Sequence, residues 1–115
     1  MPTENIQIVT TAGARRGEKV LALKGALNIH TIFDFQNAVR ADASLVLIVD
    51  FSGVPFMDSA GLGAVVGAHV AAQRAQHKIA FAGMNERLKA LVEMTHLASL
   101  LRIYPTVADA EAAFG

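Results

Sequence analysis

A single α/β domain, one mixed sheet of about four to five strands with about four helices packed on it, is the fold class the sequence predicts. Three observations predict it. Strand-like and helix-like stretches alternate along the chain, and 115 residues suffice for one core but not for two, so residues 1–115 are expected to form one domain. The third is Leu45-Val46-Leu47-Ile48-Val49, a continuous apolar run rich in branched residues and bounded by Asp50 and Ser52-Gly53. Such a run marks a strand covered on both faces, at the centre of a sheet.

Taken in order, Ile6-Gln7-Ile8-Val9-Thr10 alternates as a half-buried strand does, and Ala12-Gly13-Ala14-Arg15-Arg16-Gly17 reads as a turn. Val20, Leu21 and Leu23, within Lys19 to Lys24, resume the extended pattern and complete a hairpin. The chain turns at Gly25, and Thr31 is placed to cap a helix carrying Ile32, Phe35 and Val39 at spacings of three and four. Beyond the central strand, the segment from Ser59 sets Leu62, Val65, Val66 and Val70 on one helical side and ends among Gln73, Arg74 and Gln76. Ile79-Ala80-Phe81-Ala82-Gly83 is the next strand. Reached through a helix, it should lie parallel to its predecessor by a right-handed crossover. Glu86 to Leu101 shows a helical face of Leu88, Leu91 and Val92, continued by Leu97, Leu100 and Leu101 after a break near His96. Ile103-Tyr104-Pro105 is a short extended piece, and Thr106 with Asp109 forms a capping-box variant that opens a last helix. Leu47, Val49, Val66, Phe81 and Leu91 should share one core.

Composition narrows the function classes. The chain is 53% apolar and 17% charged, with ten basic and ten acidic side chains that cancel. Without a basic cluster larger than Arg15-Arg16 it offers no electrostatic footprint for nucleic acid or an anionic membrane. Cysteine is absent, which excludes disulfides and thiolate metal sites. Met1 to Asn5 lack the pattern of a signal peptide, and no apolar run approaches the roughly eighteen residues of a spanning helix. A soluble cytoplasmic protein with a protein partner or small ligand is expected. His30, His69, His77 and His96 lack metal-binding spacing, so no metal is expected. His69 should sit at the core's edge, hydrogen-bonded locally.

Chemistry concentrates in Phe56-Met57-Asp58-Ser59-Ala60-Gly61-Leu62-Gly63. Ligands of open α/β sheets gather beyond the carboxyl ends of the strands, which makes Phe51 to Ser59 the functional loop. An Asp-Ser pair before a helix is most simply a cap, yet a serine at that end is also well placed to carry a phosphate. Capping leaves Gly61, Gly63 and Gly67 unexplained: each costs about 1 kcal/mol relative to alanine in a helix, and such positions usually mark close approach of another backbone or a partner. Their spacing misses the dinucleotide fingerprint, and no P-loop follows, so no cofactor is expected. Only one glycine of the Gly-x-Ser-x-Gly elbow flanks Ser59, which argues against a hydrolase and leaves no catalytic residue to name. Asp50 and Asp58 could pair, but Asp50 more simply ends its strand.

On these residues the chain resembles the STAS family, and within it the bacterial anti-sigma-factor antagonists. Phe56 to Gly63 is similar to the family's phosphorylation-site signature, Leu23 to Thr31 to its early Gly-x-Leu/Ile-Asp stretch, Leu45 to Gly53 to its central strand, and Leu97 to Phe114 to its closing segment. The resemblance implies a single STAS-like domain. It also implies a non-enzymatic regulator whose unphosphorylated form binds an anti-sigma factor that is also a serine kinase and so releases a sigma factor. A phosphatase resets it. Ser59 would be the phosphoacceptor, and Asp58, Ala60, Gly61, Leu62, Gly63 and Asn28 would meet the partner alongside it. Two positions depart from the pattern: Asn28 replaces the usual acidic residue, and Ala60 removes a second hydroxyl beside Ser59. The rival within the same family is a non-phosphorylated subunit of a transporter or a lipid-trafficking complex.

Overall fold

Alternating apolar residues pair the first two strands as a hairpin in a computed structural model that describes residues 5–114. Met1 to Glu4, part of the polar start, and Gly115 lie outside the described residues. Strand β1 (Gln7–Ala12) runs antiparallel to β2 (Glu18–Lys24), with Val9 opposite Ala22 and Thr11 opposite Val20. Helix α1 (Ile32–Ala41) then crosses to β3 (Val46–Gly53), α2 (Ser59–Arg74) to β4 (Lys78–Ala82), and α3 (Glu86–Met94) to β5 (Ile103–Tyr104). These three crossovers make every later pairing parallel. Helix α4 (Val107–Ala113) follows. The sheet order is β1-β2-β3-β4-β5, so the branched apolar run is the central strand, as expected of it.

Alternation along β3 divides two cores. Leu47, Val49 and Phe51 face one side, where they meet Phe35 of α1, Leu62 and Val65 of α2 and Leu88 and Val92 of α3. Ile48 faces the other and packs with Ala80, Ala82 and Ala110 beneath α4. Leu47, Val49 and Phe81 lie buried in the larger core with Val66 and Leu91 packed against it, as their periodicity requires. The rings of Phe51 and Phe81 meet at 6.1 Å between centroids.

Four local expectations need correction. Asp50 does not end its strand: β3 continues to Gly53, because a register shift between Ala22 and Lys24 keeps β2 paired with it. Thr31 occupies the cap position of α1, but its hydroxyl makes no cap bond. It donates instead to the Ala26 carbonyl (2.8 Å) and accepts from the Asn28 amide (2.9 Å), while Ile32 donates to the Asn28 carbonyl. Nor is His69 hydrogen-bonded locally. It is buried, and neither ring nitrogen has a partner among the described residues. The break near His96 is present, with φ of 59° just past the end of α3, but Leu97 to Leu101 form turns where the pattern predicts a continued helix; Thr106 accepts from Asp109 N–H at 3.1 Å as a cap should.

Candidate functional site

Strands β2 and β3 release their chains at the same end of the sheet, and the two segments that follow are stitched together. Leu27 N–H donates to the Phe56 carbonyl (3.1 Å) and Asp58 N–H to the Leu27 carbonyl (3.3 Å), an isolated parallel bridge between Leu27 and Met57. Both side chains of that bridge are buried, which anchors the loops to the core.

The bridge delivers Asp58 to the start of α2. Its Oδ1 accepts from Gly61 N–H at 2.8 Å, the N-cap bond, and its Oδ2 accepts from Ile29 N–H at 3.2 Å. One carboxylate therefore satisfies an orphan amide of the helix and fastens the neighbouring loop. With both oxygens engaged by amides and Asp50 Oδ1 taken by Ser52 N–H (3.0 Å), the two aspartates serve separate turns.

Ser59 is the first helical residue and is exposed. Its hydroxyl, and the amides of Ser59 and Ala60, engage no hydrogen bond among the described residues. An exposed hydroxyl beside two open amides at the positive end of a helix dipole can accept a phosphoryl group without disturbing an existing contact.

The glycines separate into two kinds. Gly61 is buried, and a Cβ there would collide with the Leu27 carbonyl oxygen and come within 2.7 Å of Met57 Cγ. Close backbone approach thus explains it. Gly63 and Gly67 are exposed, with nothing within 4 Å of a Cβ, so backbone approach does not explain them.

Asn28 is buried beneath the rim, where its Oδ1 accepts from His30 N–H at 2.9 Å. It shapes the loop that Asp58 holds rather than offering a free side chain. Among the predicted positions, Leu62 is also buried, Ala60 is half-buried, and Ser59 and Gly63 face solvent. Sequence reasoning missed the exposed apolar residues on the stitched segments and at the start of α1. Ile29 and Phe56 stand on the two stitched segments, and Phe33 lies four residues beyond Ile29; they are 55%, 43% and 67% exposed. For Phe33 the signal was available, since it falls outside the Ile32–Phe35–Val39 stripe.

No group of three metal-ligating side chains occurs among the described residues, and none of their helices is long and apolar enough to cross a membrane. An electrostatic perturbation lies elsewhere: burial, then a hydrogen bond and charge from Glu111, push the Glu18 carboxyl above its usual range.

Comparison with known proteins identifies the family and the fold. The STAS domain family model matches residues 5–110. An anti-sigma-B factor antagonist from Staphylococcus aureus is 28% identical over 102 residues, covering 86% of this chain and 93% of its own. Another from Listeria monocytogenes is 37% identical over 59 residues, 51% of this chain. There the match spans about half the relative's length, 52%. Among solved structures, an anti-sigma factor antagonist from Mycobacterium paratuberculosis superposes with a TM-score of 0.79 at 23% identity, over 93% of each chain.

Proposed function

Because the chain belongs to the STAS domain family, we propose that it is an anti-sigma-factor antagonist switched by phosphorylation of Ser59. The unphosphorylated protein binds a cytoplasmic anti-sigma factor that is also a serine kinase, and a phosphatase restores it. The protein has no catalysis of its own. The observation that carries this reading is the exposed, unbonded Ser59 hydroxyl, held at the first position of α2 by the doubly bonded Asp58. Relatives named anti-sigma-B factor antagonists support the class.

The docking surface is Ser59, Ala60 and Gly63 together with exposed Ile29, Phe33 and Phe56; Asp58, Gly61, Leu62 and Asn28 support it from beneath. Phosphorylation adds about −1.5 to −2 charges and three acceptor oxygens, which the helix end tolerates and an apolar partner surface does not. A penalty of roughly 3 kcal/mol would weaken association more than a hundredfold.

Incubation with the cognate kinase and ATP should add one phosphate by intact mass, and Ser59→Ala should abolish it. Undiminished labelling of that variant would overturn the assignment. Ser59→Asp should weaken kinase binding by titration calorimetry while leaving the melting temperature nearly unchanged, because an acid at a helix N-terminus stabilises by about 0.3–1 kcal/mol. Binding as tight as the parent's would exclude a charge switch at Ser59.

A further inference from the structure

Beyond its first turns, α2 borders a cavity that the proposed switch does not use. A groove of about 590 Å³ runs between α1 and α2 to the start of β3 and β4, within the roughly 300–1,000 Å³ typical of small-molecule sites. It exists because α2 turns small residues toward α1: Ala64, Gly67, Ala68 and Ala71 leave space facing Phe35 and Val39. Where the groove reaches Lys78 it adjoins a second cavity of about 220 Å³, with Ala72, His77, Lys78 and Ile79 lining both.

The two cavities differ in character. The groove is walled mainly by apolar side chains, with Arg40 and Asp42 on its rim and the Asp42 carboxylate engaged by Ser44 N–H at 2.7 Å. The smaller cavity is basic: His69, His77, Lys78 and Arg102 line it and no acidic residue does. His69 gives an independent sign of a ligand. It is 6% exposed, and both ring nitrogens lack a hydrogen-bond partner among the described residues. Buried polar atoms normally have one, and His69 lines the smaller cavity, whose occupant would reach its ring nitrogens once the ring turns.

An apolar channel that ends among basic side chains with no acidic residue beside them suits an amphipathic anion, although Arg102 also lies over the Phe114 ring at 5.7 Å. We propose that this site binds a medium-chain fatty acid, its chain along the α1–α2 groove and its carboxylate among Lys78, Arg102 and His69. Specificity then comes in two parts: the groove reads the tail and the basic cavity reads the sign of the head.

Dodecanoate, below its micelle concentration, is the probe, titrated into the isotopically labelled chain by NMR and calorimetry. Saturable shifts are expected at the His69 ring nitrogens and at the Gly67, Ala71 and Lys78 amides. Acetate and inorganic phosphate, heads without tails, should bind at least about tenfold more weakly, as should dodecyltrimethylammonium, a tail with the opposite charge. Gly67→Leu should reduce dodecanoate affinity by more than about tenfold, since a Cβ there meets nothing within 4 Å and the longer side chain fills the groove. Lys78→Glu, an exposed substitution, should weaken it by about tenfold and keeps the test decisive if Gly67→Leu fails to fold. No saturable shift, or undiminished binding by both variants, would overturn the proposal. Equal affinity for the cationic amphiphile would show a merely greasy surface, and equal affinity for phosphate a small-anion pocket; either result also overturns it.

Discussion

Gly61 and Gly63 are two residues apart on α2 and are predicted to respond oppositely to the same substitution. At Gly61 a methyl would strike the Leu27 carbonyl oxygen, a backbone atom fixed by the bridge to Met57, so Gly61→Ala should destabilise despite its better helix propensity. At Gly63 the methyl meets nothing, and Gly63→Ala should stabilise by up to about 1 kcal/mol. Urea unfolding of the pair checks both signs at once. Asp58→Ala removes the cap and should cost about 0.5–2 kcal/mol, with further loss at the Ile29 amide; a cost below that range would mean the carboxylate holds nothing. At this scale the sequence disclosed Asp58 and Ser59 because capping is local: three residues of chain suffice to recognise it. The second bond, to Ile29, was invisible because it crosses 29 positions. Thr31 misled for a different reason, since its partners lie only three and five residues away. Its hydroxyl serves the preceding loop, a choice made by how that loop packs.

Elements were more legible than their ends. Period-two and period-3.6 patterns placed every strand and helix in the right order, since each buries one face or stripe. The extension of β3 to Gly53 escaped notice because it depends on a register shift against β2, not on local propensity. The contact of α4 with the hairpin was equally hidden. Glu111 of α4 accepts from Ala14 N–H at 2.7 Å and lies against the buried Glu18 at the start of β2. With its carboxyl raised by burial and by Glu111, Glu18 binds its proton more tightly in the folded chain than in the unfolded one. Its contribution to stability is therefore complete in acid, below the unfolded value, and is lost as pH rises through the folded value. Glu18→Gln should raise the melting temperature at pH 7, and the gain should shrink toward pH 4. A constant offset across that range, or a loss at pH 7, would refute the pairing.

For the whole molecule, two places on the same face of the sheet predict graded losses. Phe81 is fully buried against Phe51, so Phe81→Ala should cost about 3–5 kcal/mol by chemical denaturation. Leu47 lines the groove, whose walls already lack full packing, and Leu47→Ala should fall near the lower end of about 2–5 kcal/mol. Equal losses would mean that the groove closes up around Leu47. The sheet itself carries a further consequence, for assembly. Its spatial order is the order of the chain, so each strand as it is synthesised finds its partner already at the growing edge, and none has to be threaded between two others. The hairpin is the seed, and each later strand closes only the loop made by one intervening helix, a short closure with a modest entropic toll. A nascent chain released in steps should therefore gain protease protection strand by strand from its amino-terminal end.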